Sequence, residues 1–180
     1  MKRLTLLRHA KSGYGDRDQR DFDRVLNARG ERAAVAIGRA LKAEGARFDR
    51  VIASDAARVA GTISLVERGL GAPLDPIWER RVYLASAQTL LEIVQAQPDS
   101  ADHVLLAGHN PGLEDLVLML VPERADDALR AAVYEKLPTG SRVELEFDVD
   151  HWAAADTARI TRFTRPRDLD PDLGPDADTD

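Results

Sequence analysis

Two histidines and two arginines of this sequence have the types and the placement for shared chemistry. Arg8 and His9 are adjacent in LLRHAKS, Arg58 lies in SDAARVAGT, and His109 lies between two glycines in LLAGHNPG. A neutral imidazole can attack phosphorus and carry the phosphoryl group covalently. The planar guanidinium of arginine matches the non-bridging oxygens of phosphate and stays protonated. This combination of residue types predicts phosphoryl transfer.

Each of these residues follows an apolar run typical of a buried strand. The hydrophobic pattern predicts strands at 3–7, 50–53, 75–78, 103–107, 142–148 and 159–164, and helices at 28–44, 55–68, 87–96 and 113–121. The alternation indicates an α/β fold whose central sheet has helices on both faces. Ligands of such folds bind at the carboxyl ends of the strands. A single histidine at a strand end is often only a solvated loop residue, but the repetition at three strand ends favours one shared crevice.

Several of these predicted elements have capping residues at their boundaries. Ser, Thr, Asn and Asp are favoured at helix N-termini, and Gly is favoured just past a helix C-terminus. We therefore expect N-caps at Asn27, at Ser54 or Asp55, and at Ser86, and helix ends at Gly45 and Gly69.

Length and composition indicate one domain followed by an acidic tail. The chain has 180 residues and no Cys, a length that suits a single domain, which we place at residues 1–165. Residues 166–180 hold three prolines, six aspartates and few apolar groups, so we expect a disordered tail there. The absence of Cys excludes a thiolate nucleophile and a cysteine zinc site.

Composition also narrows the expected partners and location. The net charge is −6 and no basic cluster stands out in the sequence, which argues against nucleic-acid binding. The apolar run of residues 4–7 is too short for a signal peptide or a membrane span. We therefore expect a cytoplasmic protein that does not bind a membrane. The sequence has neither a Walker loop nor a GxGxxG turn, which disfavours nucleotide chemistry.

The segments LLRHAKS, SDAARVAGT and LLAGHNPG resemble the motifs of the histidine phosphatase superfamily. DFDRVLNARG and EKLPTG are similar to its SixA-type phosphohistidine phosphatase branch, and the resemblance runs from about residue 3 to residue 169. It implies a phosphoglycerate mutase-like fold, three-layer α/β/α with a mostly parallel central sheet, and no metal or other cofactor. By this resemblance His9 is the phospho-accepting nucleophile, and the phosphoryl oxygens are bound by Arg8, Arg58 and His109.

Weaker candidates surround these four residues. Ser12 follows the nucleophile closely and is expected to contact phosphate, whereas the neighbouring Lys11 is more typical of a solvated loop. In the SixA-type pattern the PTG turn borders the phosphate pocket, so Thr139 is a second candidate substrate-binding residue. Glu79 is the one candidate general acid, although no motif fixes its alignment and an ion-pairing role is the simpler interpretation.

Two departures from the commonest superfamily pattern point to the substrate. Ala10 stands where Arg-His-Gly is usual, a change frequent in the SixA-type branch, and Glu79 lacks the motif of the general acid of the larger enzymes. An imidazole leaving group needs less protonation than an alkoxide, whose departure a general acid speeds by about 10²–10⁴-fold. The sequence thus favours a metal-independent phosphohistidine phosphatase acting on a protein, such as one of a phosphorelay or phosphotransfer system.

Two alternatives remain open at this point. The first is a small-molecule phosphomonoester phosphatase of the same superfamily, in which Glu79 supplies the proton. The second is a non-catalytic module that binds phosphate for interaction and has lost turnover.

Overall fold

A six-stranded sheet forms the centre of the structure, a computed structural model that describes residues 1–125 and 127–174. The strands of the described chain are β1 Lys2–Arg8, β2 Arg50–Ala53, β3 Ile77–Trp78, β4 His103–Gly108, β5 Arg142–Phe147 and β6 Arg159–Thr164. Their order is β3-β2-β4-β1-β5-β6. The pairs along β3, β2, β4 and β1 are parallel, and β5 is antiparallel to both of its neighbours. The predicted mostly parallel sheet is confirmed.

Helices cover both faces of this sheet. They are α1 Ala28–Ala43, α2 Ala57–Leu70, α3 Ala87–Gln95, α4 Gly112–Leu120, α5 Ala128–Glu135 and the short α6 Pro166–Leu169. Alternate residues of β4 point to opposite faces, as the period of a strand requires. Leu105 packs in the core formed with α1 and α2, whereas Leu106 packs in the core formed with α3 and α4. The three-layer α/β/α architecture is therefore as expected.

Capping explains three of the helix boundaries. The Asn27 side chain accepts a hydrogen bond from the Gly30 amide at the start of α1, and Ser86 does the same for the Thr89 amide at the start of α3. Gly45 follows the end of α1 with a φ of +65°, a conformation that costs glycine little. These three predicted caps are confirmed.

The predicted boundaries of α2 are wrong at both ends. Its N-cap is Ala56, and no side chain caps its first turn. The Ser54 hydroxyl accepts a hydrogen bond from the Ala56 amide and lies beside His109. Its C-terminal cap is Gly71 rather than Gly69. Gly69 lies where α2 crosses α1, and a Cβ there would be 2.2 Å from the carbonyl oxygen of Val35. Glycine at this position serves close helix packing and not helix termination.

The first nine residues of the predicted tail are structured. In α6 the Asp168 carboxylate accepts a hydrogen bond from the Arg165 amide at 2.8 Å, and Pro166 occupies the first helical position, which its fixed φ favours. Pro166 and Leu173 are buried, and α6 packs against α1. The expectation of disorder therefore does not hold for residues 166–174, and residues 175–180 lie outside the described residues.

The described helices are short or amphipathic. None of them is long and apolar enough to cross a membrane.

Candidate active site

The carboxyl ends of three parallel strands meet at one edge of the sheet. Arg8 pairs in register with Gly108, the last residue of β4, and the His9 amide donates to the Gly108 carbonyl at 3.1 Å. His109 follows Gly108 directly, and Arg58 is the second residue of α2, which begins shortly after β2. The structure thus brings together the four residues that the sequence placed in one crevice.

His9 is held in one tautomer by its own backbone. The side chain is buried, and its Nδ1 lies 2.7 Å from the Ala10 carbonyl oxygen. A carbonyl oxygen can only accept, so Nδ1 carries the proton and Nε2 keeps a lone pair. Burial lowers the pKa of His9 to about 3, because desolvation disfavours the imidazolium. At neutral pH the ring is therefore uncharged, and the lone pair on Nε2 is of the kind that a nucleophile requires.

Arg58 faces His9 and is itself held by Asp21. The Arg58 Nε donates to His9 Nε2 at 3.3 Å, while Nη1 donates to the Asp21 carbonyl at 2.7 Å and Nη2 to its Oδ2 at 2.9 Å. The Tyr83 hydroxyl donates to the same Oδ2 at 2.6 Å. Hydrogen bonds from Tyr83 and Arg58 lower the pKa of Asp21 to about 2. These contacts orient three donors of the Arg58 guanidinium group, and its Nε faces His9.

Sequence reasoning missed Asp21 and Tyr83. Asp21 lies within DFDRVLNARG, a segment that carried the resemblance, but nothing in the spacing connects it with an arginine that follows 37 residues later. Tyr83 lies four residues after Glu79, in a stretch that carries no motif. Its ring packs edge-on against His109 with the centroids 5.3 Å apart.

His109 lies beside His9, with the two ring centroids 5.3 Å apart. Its Nε2 is 2.8 Å from the Ser54 hydroxyl, and within the described part of the chain its buried Nδ1 has no hydrogen-bond partner. Burial, and after it the charge of Arg58, lower the pKa of His109 to about 4. Buried polar atoms are nearly always hydrogen-bonded, so an unsatisfied nitrogen in this place is typical of a contact made with a ligand.

A cavity of about 610 Å³ opens beside three of the four residues, and His109 is not among the described residues that line it. Arg8, His9 and Arg58 line it, and so do the weaker candidates Ser12 and Thr139. The Ser12 hydroxyl accepts a hydrogen bond from an Arg24 guanidinium nitrogen at 2.7 Å. The PTG turn is fixed to the site, because the amide of Gly140 donates to the carbonyls of both Arg8 and His9.

Thr62 connects α2 to the loop of the proposed nucleophile. It lies one turn beyond Arg58, and its hydroxyl accepts from the Ala10 amide at 2.9 Å and donates to the Arg58 carbonyl at 2.7 Å. The contact ties the position of Arg58 to that of His9 through a single side chain.

Glu79 does not take the place of a general acid. Its carboxylate accepts hydrogen bonds from the amide, Nε and Nη2 of Arg81, and it is not among the described residues that line the cavity. These bonds lower the pKa of Glu79. An ionised carboxylate has no proton to give to a leaving group, so the simpler ion-pairing interpretation of Glu79 is the one that fits.

Metal-ligating residues are not clustered in the described part of the chain. No group of three or more His, Asp or Glu side chains among residues 1–125 and 127–174 could hold a metal ion. The chemistry that these side chains can supply is a neutral imidazole nucleophile beside guanidinium groups, which is the equipment for covalent phosphoryl transfer.

The chain matches known proteins along most of its length. The family model of the histidine phosphatase superfamily (branch 1) matches residues 4–105. An uncharacterised protein, MT1313 of Mycobacterium tuberculosis, is 34% identical over 164 residues, which cover 89% of this chain and all of the relative.

Solved structures of SixA proteins share the fold. SixA from Agrobacterium tumefaciens superimposes with a TM-score of 0.76 at 30% identity, over 92% of this chain and 98% of that one. SixA from Nakamurella multipartitia gives a TM-score of 0.79 at 27% identity, over 92% and 96% of the two chains. Family and fold together support phosphatase activity. The chain belongs to the histidine phosphatase superfamily and is of the SixA type.

Proposed function

We propose that this protein is a metal-independent phosphatase that removes phosphate from phosphohistidine on another protein, through a covalent intermediate on His9. The observation that carries the proposal is the state of His9: neutral, buried, with its Nε2 lone pair directed at Arg58 3.3 Å away. A partner of a phosphorelay or phosphotransfer system has the required phosphohistidine. The Cys-free composition is compatible with a reducing cytoplasm, where we expect the protein to act.

The reaction has two displacements at phosphorus. In the first, His9 Nε2 attacks, the P–Nε2 bond forms, and the P–N bond to the substrate imidazole breaks with its electron pair on the leaving nitrogen, which takes up a proton. In the second, water attacks phosphorus, the P–Nε2 bond returns its pair to His9, and inorganic phosphate leaves with the oxygen of water. Splitting one difficult displacement in this way is the gain of nucleophilic catalysis.

The neighbours of His9 bind the charge that the phosphoryl oxygens carry. In our proposal Arg8 and Arg58 supply guanidinium donors, and His109 supplies Nδ1–H. The Ser54 hydroxyl already accepts from the Ala56 amide at 3.2 Å, and by donating to His109 Nε2 it leaves the ring proton on Nδ1. Ser12 and Thr139, which line the same cavity, are proposed as further donors to the phosphoryl group.

The ionisation of Asp21 and Glu79 favours phosphohistidine over alkyl phosphoesters. The pKa of Glu79 and that of Asp21 are both lowered, so neither carboxyl holds a proton at neutral pH. An alkoxide leaving group depends on such a proton, at a cost of about 10²–10⁴-fold in rate when it is missing. An imidazole nitrogen is protonated readily, so its departure does not depend on a general acid. Neither Asp21 nor Glu79 therefore supplies the proton that the phosphoester alternative requires.

A phosphate-release assay on a histidine-phosphorylated phosphotransfer protein tests the proposal. We expect release of inorganic phosphate in the presence of EDTA, with a transient acid-labile phosphate on the enzyme that is absent from His9→Ala. Efficient hydrolysis of an alkyl phosphoester with no release from phosphohistidine would show instead a phosphoester phosphatase. Binding of phosphate without turnover of either substrate would show an interaction module.

A further inference from the structure

The cavity is larger than a phosphoryl site needs to be. Its volume of about 610 Å³ lies within the range of whole small-molecule binding sites. The phosphoryl-binding residues are at its buried end, since Arg58 is 4% exposed and His9 is 8% exposed. The remaining volume extends past the PTG turn to α6 and to the residues after α5. The part of the substrate that carries the phosphoryl group would therefore contact cavity walls beyond the phosphoryl site.

These walls carry a charge opposite to that of the whole chain. Eight of the described residues that line the cavity are Lys or Arg, and one, Glu135, is acidic, although the chain has a net charge of −6. A cavity lined by one sign of charge concentrates ligands of the other sign. The cations are thus a local feature that composition does not account for.

Two of the eight cations form ion pairs with nearby carboxylates, two face the phosphoryl site, and Lys11 lies in the loop that follows His9. The Arg24 guanidinium donates to an Asp21 carboxylate oxygen at 3.1 Å, and Arg165 forms an ion pair with Asp168 at 2.9 Å. Arg8 and Arg58 face the buried end.

A second set of cations lies at the open end of the cavity. Arg29 is in the first turn of α1, Lys136 follows the last residue of α5, and Arg167 is in α6. We call these three residues the outer cations. Three separate elements bring them to the wall of the same cavity, and each is more exposed to solvent than Arg58. Such convergence places positive charge where the substrate must enter.

We propose that the outer cations bind a second anionic group of the substrate, beside the phosphoryl group that is transferred. The proposal rests on the phosphatase activity proposed above and adds a requirement to it. The ligand chemistry is a carboxylate or phosphate oxygen accepting charge-assisted hydrogen bonds. It has two possible sources, an acidic side chain next to the phosphohistidine of a protein and a second phosphate of a small molecule.

Two substrate pairs separate these sources. The first is a phosphohistidine peptide with aspartates flanking the phosphorylated residue, compared by kcat/KM with the same peptide carrying asparagines. The second is an alkanediol bisphosphate, compared by calorimetric affinity with the matching alkyl monophosphate, a measurement that needs no turnover. If the second anion comes from a protein, we expect wild type to prefer the aspartate peptide by about tenfold. If it comes from a small molecule, we expect wild type to prefer the bisphosphate by about tenfold.

The variant Arg29→Gln/Arg167→Gln removes two outer cations. We expect it to lose most of the preference while its affinity for inorganic phosphate stays within about twofold of wild type. Arg68→Gln is the matched control, because Arg68 is an exposed residue near the end of α2 outside the cavity lining, and it should keep the full preference.

The outcomes are distinct for the two proposals. A preference in either arm that Arg29→Gln/Arg167→Gln abolishes supports the second-anion subsite, and the arm that shows it names the source. No preference in either arm, or one that survives in the double variant, overturns it. A bisphosphate preference together with no phosphohistidine turnover supports the subsite and rejects the proposed phosphohistidine substrate.

Discussion

At the scale of single residues, the state of His9 follows from two local features. The Ala10 carbonyl holds the proton on Nδ1, and burial keeps the ring neutral. The adjacency of Arg8 and His9 was visible in the sequence, and so was their place after an apolar run. The Nδ1 contact was not, because it depends on the χ angles of a ring that the sequence pattern does not specify.

Replacing His9 and Arg58 separates chemistry from binding. We expect His9→Ala to abolish turnover and to retain affinity for inorganic phosphate, since the guanidinium groups remain. Arg58→Ala should weaken phosphate binding and reduce turnover by about 10²–10³-fold, the usual cost of losing one donor from a preorganised oxyanion site. Rapid-quench kinetics and calorimetry with inorganic phosphate measure the two effects. Undiminished turnover in His9→Ala would rule out the covalent mechanism.

Asp21 is a positioning residue whose removal should split turnover from binding. Asp21→Asn weakens the hold on Arg58 Nη2, leaves the backbone carbonyl that binds Nη1, and removes a negative charge next to the phosphoryl site. We expect kcat to fall roughly 10- to 100-fold, as misplacement of a catalytic group does, while inorganic phosphate binds more tightly. Tyr83→Phe is the control, because it removes a donor to Asp21 and keeps the charge. A purely structural role of Asp21 predicts weaker phosphate binding instead.

At the scale of elements, the sequence predicted those whose pattern is strong. β2 and β6 have the predicted bounds, and β1 and β4 differ by one residue at their ends. The helix α5 was missed because it is short and buries little, with Val133 as its buried residue. Gly69 was misread because glycine marks both helix ends and close helix crossings, and only tertiary packing distinguishes the two.

The crossing of α1 and α2 should tolerate no side chain at Gly69. We expect Gly69→Ala to destabilise the fold by about 1–3 kcal/mol, the typical cost of overpacking, because its Cβ would be 2.2 Å from the Val35 carbonyl oxygen. Gly61→Ala is the matched control in the same helix, since the nearest atom to its Cβ is a Leu26 side-chain carbon at 3.4 Å. Urea unfolding measures both. Equal stability of the two variants would contradict the close crossing.

At the scale of the whole molecule, positive charge is concentrated around the cavity although the chain as a whole is acidic. The chain is acidic, yet it surrounds the proposed catalytic histidine with cations drawn from elements far apart in the sequence. The net charge of −6, from which we expect no nucleic-acid binding, is a sum over the whole chain. It could not show a basic cavity, because the residues from the N-terminal loops, α5 and α6 meet only in the folded state.

Buried neutral histidines should make stability depend on pH. The pKa values of His9, His103 and His109 are lowered to about 3, 4 and 4 by burial. Between these values and the ordinary value near 6.5 the unfolded chain binds more protons than the folded one. Stability is therefore full above about pH 6.5 and falls as the pH is lowered, by up to about 1.4 kcal/mol per pH unit for each histidine.

Urea unfolding at several pH values between 5 and 8 measures this slope. The window lies above the ordinary pKa values of 3.8 for Asp and 4.5 for Glu, so carboxyls with lowered pKa values contribute little within it. We expect His103→Gln to reduce the slope below pH 6.5 by the share of one histidine and to leave the flat region above pH 7 flat. His103 lies at the start of β4, at the opposite end of that strand from the active site, so this change tests the effect of burial separately from catalysis. A slope identical to wild type would mean that His103 is not held neutral in the folded protein.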